Sequence, residues 1–489
     1  MADNSYKGIF KTTFLFSFVQ IVHIVAKVII NKFVAIYLGA EGLGIISLYN
    51  SAINMLKSGC GLGIKQSAVR DVAEANEKKN IWRISEIISI TNKVVVLTAI
   101  LGLVVTIIGS PFFSKYSFGS SSFVIPFLVL SVAVALNIYA EGQMAIITGM
   151  RRLRDLAMAN IIGSVIGLVT SVPLYYFFGN DGIVPSLVIA ALCLFLVTKF
   201  YVNKIKINHV TLTFRDSLKK ATPMIQMGSV LMLAGFAGMA FELLVSSFIR
   251  YEGGFGTVGY YQAGVTIISG YFGIVLSAMT TDYYPRICGV NSNNGQLNVE
   301  LNKQVASGII LIYPLAVFFV YLAPHFIAFL YSDDFSISTQ YTDIAIFGTV
   351  LILVSNCMGM IFMAKMASKL YLSLVLLILG IQLCFYIPFY HFWGLRGLGI
   401  SYIMNGFVSL VIYGGVLYKK YKIYVERKNL GLLFVVFFTL FLAILARNIK
   451  NDILSIGMGL MLLLLSSAIS ITFLKNVMGI DVFKFFSKF

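Results

Sequence analysis

Long apolar runs separated by short polar connections occupy most of this chain. Fourteen of them predict membrane-spanning helices, because a helix rises about 1.5 Å per residue and the hydrocarbon core is about 30 Å thick. No connection exceeds roughly 20 residues, which leaves no space for a soluble catalytic domain. We therefore predict an all-α polytopic membrane protein. The predicted spans are 12–38, 43–69, 86–110, 123–148, 157–178, 183–202, 223–249, 258–285, 305–330, 343–364, 370–390, 397–418, 431–447 and 453–474.

The composition agrees with this pattern. Of the 489 residues, 58% are apolar and 12% are charged, whereas soluble domains carry about 25% charged residues. The mean hydropathy is +0.89. These values exclude a soluble enzyme, a disulfide-stapled secreted domain and a disordered chain. The five cysteines lie far apart and form no CxxC pair, so they indicate neither a metal site nor a disulfide framework.

The 37 lysines and arginines predict the orientation of the chain in the membrane. With the N-terminus in the cytoplasm, 27 of them fall on inner connections and helix edges, and five fall on outer ones. An even number of spans returns the C-terminus to the cytoplasm as well. Membrane topology therefore explains most of the net charge of +17, and we expect no nucleic-acid partner.

The sequence also repeats weakly at an offset of about 215 residues, and a common offset over several landmarks indicates an internal duplication. Each copy holds six helices, so we expect two pseudo-symmetric six-helix bundles that run in the same direction around a central cavity, a recurring transporter architecture. The predicted divisions are a cationic N-terminal bundle over 1–206, a C-terminal bundle over 207–420, and two extra helices with a cytoplasmic tail over 421–489. The landmarks are Gly44 and Gly259, Arg154 and Lys369, segments 182–186 and 397–401, and residues 7 and 222.

Five lysines lie inside predicted spans, all within the first three helices. If they faced lipid, they would together cost on the order of 12–17 kcal/mol, so we expect most of them to face a hydrated cavity. Helical geometry places polar side chains on one face of each of these helices. Lys32 points away from that face, and we assign it no role. The residues predicted to bind substrate are Gln20, His23, Lys27 and Asn31 on the first helix, Asn54, Lys57 and Lys65 on the second, and Lys93 on the third.

Two interpretations of Lys27 and Lys57 stay open. They line an anion-binding cavity, or they form interhelical ion pairs with Glu141 and Glu242, the two acids well inside predicted spans. His23 is either a packed histidine or a carrier of a coupling proton, since histidine titrates near neutral pH. Glu242 and Asp282 are the candidates for coupling transport to an ion or a proton. The alternatives are an interbundle contact for Glu242 and an i,i+4 pair with Arg286 for Asp282.

Other sequence features indicate no catalytic chemistry. The glycine-rich run over 59–65 has the composition of a phosphate-binding loop, but it would lie inside a membrane span, without the preceding strand that such loops need. We interpret it as a site of helix flexibility and close packing. No HExxH motif, Ser/His/Asp set or carboxylate pair occurs, so we expect no enzyme activity, no metal and no cofactor. The last two spans are almost wholly apolar, which predicts contact with lipid or a groove for a lipid tail.

Three segments of the chain resemble a known family. They lie at 38–44, 258–263 and 281–286, and the last contains the sequence Asp-Tyr-Tyr-Pro-Arg. They are similar to segments of O-antigen flippases of Wzx type, which belong to the multidrug/oligosaccharidyl-lipid/polysaccharide transporter superfamily. The resemblance covers about residues 8–420. Two features depart from relatives: peptidoglycan-precursor flippases place a cation in the eighth helix, where this chain has Gly270, Tyr271 and Phe272, and many Wzx proteins are drawn with twelve spans.

The resemblance implies a function in lipopolysaccharide biosynthesis. The chain would carry undecaprenyl-pyrophosphate-linked oligosaccharide across the bacterial inner membrane by alternating access, and Glu242 and Asp282 independently indicate coupling of this transport to H+ or Na+. Its partners would be this lipid-linked substrate, membrane lipids and other polysaccharide-assembly proteins. One alternative is a multidrug or cation antiporter of the same superfamily, which would need an acid in the first bundle, where only Glu141 qualifies. Another is a membrane-embedded polysaccharide polymerase or glycosyltransferase, which would need a large outer loop.

Overall fold

The computed structural model describes residues 25–205, 214–449 and 451–478. Within these ranges the side chains of 153, 214–231, 271, 274–278, 280–282, 452 and 474–478 are not described. The regular elements of the described ranges are all helical, which confirms the predicted fold class. The α-helices are α1 (25–37), α2 (Gly39–Cys60), α3 (Ile64–Glu77), α4 (Ile81–Phe113), α5 (Val124–Gly149), α6 (Leu153–Phe178), α7 (Ile183–Asn203), α8 (Phe214–Val265), α9 (Phe272–Gly289), α10 (Asn294–Leu330), α11 (Thr339–Ala364), α12 (Ser368–Tyr421), α13 (Arg427–Arg447) and α14 (Asp452–Met478).

Many of these helices are long enough to cross a bilayer. Among the described residues, nine stretches combine sufficient length with sufficient hydropathy. The stretch Arg154–Asn203 contains both α6 and α7, and Ser368–Tyr421 contains two helices that meet at a kink at Gly394. A comparable kink lies at Gly254 within α8. The chain is therefore a multi-pass membrane protein, and the exact number of fourteen spans stays a prediction.

The predicted second span, 43–69, is not one continuous helix. α2 ends at Cys60, and α3 begins at Ile64 after a short turn. In this turn Leu62 has φ 49° and Gly63 has φ 66°, a conformation that glycine adopts at little cost. The predicted span 43–69 is therefore divided into two helices, because its glycines permit a break. We call residues Gly61 to Gly63 the glycine turn.

Contacts divide the chain into two compact units, Met1–Gly259 and Tyr260–Phe489. The predicted boundary between the N-terminal and C-terminal bundles, at residues 206 and 207, lies outside the described ranges. In the first unit α5 is central, because it packs against α3, α4 and α7. A Cβ on Gly142 would lie 2.4 Å from the Val95 side chain. The small residue thus brings α5 close to α4.

In the second unit α11 packs against α12, and α10 packs against α11. The last two helices, α13 and α14, also pack on α10. The Tyr313 hydroxyl on α10 lies 2.8 Å from the Thr439 hydroxyl on α13, and Ser470 on α14 donates to the carbonyl of Ile310 at 3.0 Å. The final helices are therefore anchored to α10 by polar contacts on one side. Their other sides carry exposed apolar residues such as Phe434.

The duplication is visible in the backbone. α5 begins at Val124 and ends at Gly149, and α11 begins at Thr339 and ends at Ala364, so both ends are related by the offset of the sequence repeat. The starts of α6 and α12 are related by the same offset. Such agreement in helix ends and in rare backbone angles confirms a repeated structural unit. Residues with positive φ also occur in pairs at this offset: Gly39 and Gly254, Arg151 and Met366, and Gly179 and Gly394.

Candidate functional site

A cavity of about 440 Å³, lined by polar and apolar side chains, lies within the first unit. Residues of α1, α2, α5, α6 and α7 line it, and many of them carry amide or hydroxyl groups. We call it the polar cavity. Its polar lining residues are Lys27, Asn31, Asn50, Asn54, Lys57, Asn137, Asn160, Ser164, Ser171, Tyr175 and Ser186.

Helical spacing explains how α1 and α2 contribute to this cavity. Lys27 and Asn31 are four residues apart on α1, and Asn50, Asn54 and Lys57 follow at the same kind of interval on α2. Side chains at such intervals lie on one face of a helix. The structure thus brings together Lys27, Asn31, Asn54 and Lys57 of the residues that the sequence predicted to bind substrate.

A second, smaller cavity of about 270 Å³ surrounds the glycine turn. We call it the glycine-turn cavity. Lys57 at the end of α2 and Lys65 at the start of α3 both line it, together with Glu141 of α5. Asn54 and Lys57 line both cavities. The break between α2 and α3 therefore places Lys65 beside Lys57.

Glu141 pairs with both lysines of the glycine-turn cavity. Its Oε1 atom lies 3.1 Å from Nζ of Lys57 and 3.5 Å from Nζ of Lys65. The three side chains keep 28%, 24% and 51% of their area exposed, in the order Glu141, Lys57, Lys65. The interhelical ion pair that the sequence left open for Lys57 is thus present, and it is partly solvated.

Glu242 of α8 interacts in a similar way with a lysine of the polar cavity. Its carboxylate accepts a hydrogen bond from Ser51 and is attracted electrostatically to Lys27. Both acids that the sequence placed inside spans therefore face lysines of the predicted site. Lys27, Lys57 and Lys65 carry three positive charges against the two negative charges of Glu141 and Glu242, which leaves one positive charge in excess.

The other predicted site residues have different outcomes. Gln20 and His23 lie outside the described residues, and Lys93 on α4 lines neither cavity. Asp282 belongs to α9, but its side chain is not described. Arg286, its predicted i,i+4 partner, donates to Glu300 at 2.6 Å and to Gln304 at 2.7 Å.

Sequence reasoning missed the contributions of α5, α6 and α7 to the polar cavity. On α6, Asn160, Ser164 and Ser171 recur at helical intervals within an apolar helix. Tyr175, one further turn along, exchanges a hydrogen bond with Ser186 of α7 at 2.9 Å. The periodicity that predicts the lysine faces also predicts this neutral face. A prediction that starts from charged residues does not find this neutral face, because the face carries no charge.

The chemistry of the two cavities suits an anionic, hydroxyl-rich ligand. Lysine offers an adaptable point charge to phosphate groups. Asparagine offers both donors and acceptors, and serine offers a hydroxyl that does the same. Among the described residues no group of three or more His, Cys, Asp or Glu side chains could hold a metal ion. Binding by charge and hydrogen bonds is what these side chains can provide.

Comparisons with known proteins agree with this picture. The family model described as "Polysaccharide biosynthesis protein" matches residues 33–340. No curated protein sequence matches the chain. Among solved structures, the lipid II flippase MurJ in an inward closed conformation has a TM-score of 0.68 and 16% identity, and the similarity covers 96% of this chain and 100% of that one.

Two further solved structures belong to transporters of the MOP superfamily. An inward-facing multidrug resistance transporter of the MATE family has a TM-score of 0.61 and 16% identity, over 86% of this chain and 96% of that one. The other is a Pyrococcus furiosus transporter, described as having a binding pocket of reverse polarity that suggests a different function. It has a TM-score of 0.56 and 17% identity, and the similarity covers 82% of this chain and 94% of that one. At these identities the likeness shows the fold. The family model, which covers more than half of the chain, confirms the polysaccharide family that the sequence motifs indicated.

Proposed function

The chain belongs to the polysaccharide biosynthesis protein family, and we propose that it is a flippase for a lipid-linked oligosaccharide. In this proposal the substrate is an undecaprenyl-pyrophosphate-linked, O-antigen-like repeat unit. The protein moves it from the cytoplasmic to the outer leaflet of the inner membrane by alternating access. Both termini lie in the cytoplasm.

The polar cavity is the observation that carries this proposal. Its volume of about 440 Å³ lies in the range of about 300–1,000 Å³ that is usual for small-molecule sites. Two lysines and five asparagines face it, within helices that are mostly apolar. Buried charge and amide groups are costly in a membrane unless a partner or a function requires them. A pyrophosphate and its sugars would supply such partners.

Fold similarity supports a lipid-linked substrate. The MurJ structure, which is similar over nearly the whole chain, is that of a lipid II flippase. The matched family is one of polysaccharide biosynthesis. Joined to the lysine and asparagine lining of the polar cavity, these similarities favour a saccharide on a lipid carrier over a cationic drug.

The test is a flipping measurement in vesicles. Purified protein would be reconstituted with a fluorescent undecaprenyl-pyrophosphate-linked oligosaccharide, and a membrane-impermeant glycosidase would report which leaflet holds it. We expect protein-dependent exposure of the oligosaccharide, lost in the Lys27→Ala/Lys57→Ala variant. Wild-type vesicles that leave the labelled lipid in its original leaflet would overturn the proposal.

A multidrug or cation antiporter is the second candidate, because MATE transporters share the fold. Such a transporter needs a carboxylate available to a cation, but Glu141 and Glu242 both face lysines here. Drug accumulation measured in cells with and without the protein separates the two candidates. Efflux of cationic dyes without flipping would favour the antiporter.

We also propose that transport is coupled to H+ or Na+ through Glu242 and Asp282. Glu242 is half-buried and is attracted to Lys27, which lines the polar cavity. A substrate anion that approaches Lys27 would weaken this attraction and leave Glu242 free to take up a cation. Asp282 is proposed as a coupling residue from its position in the sequence alone.

A further inference from the structure

One carboxylate of α5 holds together the two lysines of the glycine-turn cavity. The single atom Oε1 of Glu141 lies within 3.5 Å of Nζ of both Lys57 and Lys65. These lysines come from two helices that the glycine turn separates. Glu141 therefore occupies the position where an anion would meet both ammonium groups at once.

We infer that Glu141 is an exchangeable counter-ion, which the diphosphate of the substrate displaces from Lys57 and Lys65. The inference rests on the proposed function, because it takes the substrate to carry a diphosphate. A carboxylate brings one negative charge, whereas a diphosphate brings more charge and more acceptor oxygens. Coulomb attraction to two cations is correspondingly greater. The incoming group thus competes successfully for both lysines.

The solvation of the pair makes this exchange feasible. More than a fifth of each of the three side chains is exposed, and solvated ion pairs contribute little to stability. The cavity of about 270 Å³ lies directly beside the pair. Asn54 and Lys57 also line the polar cavity, so a diphosphate at Lys57 would leave its sugars within reach of the asparagines. When the diphosphate leaves, Glu141 can return to the lysines and oppose rebinding.

The exchange predicts that neutralising Glu141 strengthens binding of a diphosphate. The test uses the full-length protein in detergent, with farnesyl diphosphate as the probe and farnesol as its uncharged counterpart. Glu141→Gln keeps the size of the side chain and removes the competing charge. We expect this variant to bind farnesyl diphosphate about tenfold more tightly, which corresponds to about 1.4 kcal/mol, and to bind farnesol as wild type does.

Two further variants make the test specific. Glu74→Gln removes a carboxylate of α3 that is exposed and pairs with Lys78 at 2.6 Å, and it should leave both affinities unchanged. Lys65→Met removes one of the two lysines, so adding Glu141→Gln to it should improve diphosphate binding much less than in wild type. Should Glu141→Gln fold poorly, Glu141→Asp provides a charged variant with a shorter reach, for which we expect an intermediate gain.

The possible results separate this inference from the proposed function. If wild type prefers farnesyl diphosphate to farnesol but Glu141→Gln binds it no more tightly, the inference is wrong and the proposed function stands. A gain of equal size for farnesol, or in Glu74→Gln, also overturns the inference. If wild type does not distinguish the two probes, the proposed function fails and the inference fails with it.

Discussion

Gly44 and Gly259 lie at a reciprocal close approach of two helical segments. A Cβ on Gly44 would lie 2.0 Å from the carbonyl oxygen of Phe255, and a Cβ on Gly259 would lie 1.9 Å from the carbonyl oxygen of Ala40. The offset of the sequence repeat relates Gly44 to Gly259, and it also relates Ala40 to Phe255. The contact is therefore a local two-fold relationship between duplicated segments. At each of the two glycines there is room for a hydrogen atom but not for a methyl group.

This contact predicts that neither glycine tolerates a methyl group. Gly44→Ala and Gly259→Ala should each lower the free energy of unfolding by about 1–3 kcal/mol, because the added atom meets backbone that cannot rotate away. Thermal unfolding of the purified protein in detergent measures the effect.

Gly256→Ala is the matched control for this prediction. Gly256 lies in the same helical segment as Gly259, but a Cβ there would meet no atom within 4 Å. This variant should be neutral or slightly stabilising, since alanine favours a helix by about 1 kcal/mol over glycine. Equal melting temperatures for all three variants would contradict the close approach.

Lys27 and Lys57 should be required for export. Replacing either with Ala removes a positive charge that faces the polar cavity, and we expect at least a tenfold loss of flipping because one ammonium group no longer meets the pyrophosphate. Membrane abundance, measured in parallel, should stay normal. Lys32→Ala is the control, since Lys32 lines neither cavity. Normal export by the Ala variants at equal abundance would mean that the lysines are not a substrate site.

Glu242 should determine the response of transport to ion gradients. Glu242→Gln removes a charge that interacts with Lys27 and keeps an acceptor for Ser51. In vesicles with an imposed proton or sodium gradient, wild type should flip faster than without it, and the variant should lose this acceleration. Glu252→Gln, on the same helix, is the control. Identical responses of wild type and Glu242→Gln would exclude Glu242 as the coupling residue.

Arg447 should hold α13 to the rest of the second unit. It donates to both carboxylate oxygens of Asp343 on α11 and, at 2.8 Å, to the carbonyl of Val320 on α10. Both charged side chains are more than four-fifths buried. Arg447→Met should lower the free energy of unfolding by about 2–3 kcal/mol, because the Asp343 charge stays buried without its partner.

The double variant Arg447→Met/Asp343→Leu checks the cause of that loss. Removing both charges eliminates the unpaired carboxylate, so thermal unfolding should show that the double variant is more stable than Arg447→Met alone. If Asp343→Leu destabilises Arg447→Met by as much as it destabilises wild type, the two residues do not interact.

Hydropathy and helical periodicity were sufficient to predict the helices and much of the lysine-bearing site. Each predicted span that falls within the described residues overlaps a helix, because apolar length and period are local properties of the sequence. The offset of the sequence repeat reappears in helix ends and in backbone angles, because these too are set by local sequence. The faces of α1 and α2 likewise converge on the polar cavity as their spacing indicates.

The remaining features depend on contacts between distant residues. Glu141 is far from Lys57 and Lys65 in the sequence, so no local pattern shows that it bridges the two lysines. The glycine turn was missed because its residues are compatible with either a helix or a break, and packing decides between them. Lys93 shares a sequence pattern with the other lysines, but its helix places it away from both cavities.

The polar face of α6 should recognise the sugars rather than the diphosphate. Asn160, Ser164 and Ser171 line the polar cavity but not the glycine-turn cavity, where Glu141 pairs with Lys57 and Lys65. Amide and hydroxyl groups suit sugar hydroxyls, and a site built for such hydrogen bonds loses much affinity when the bonds are removed. Asn160→Leu combined with Ser164→Ala should therefore reduce flipping of lipid-linked oligosaccharide by about tenfold.

The same variant should bind farnesyl diphosphate as tightly as wild type, because its lysines are unchanged. The control replaces Thr170 on α6 with Val, since Thr170 donates to carbonyls of its own helix and lies outside the lining of both cavities. This control should flip the oligosaccharide normally. A parallel loss of diphosphate binding and flipping in Asn160→Leu/Ser164→Ala would mean that α6 supports the whole cavity, and the assignment of the sugars to α6 would then be wrong.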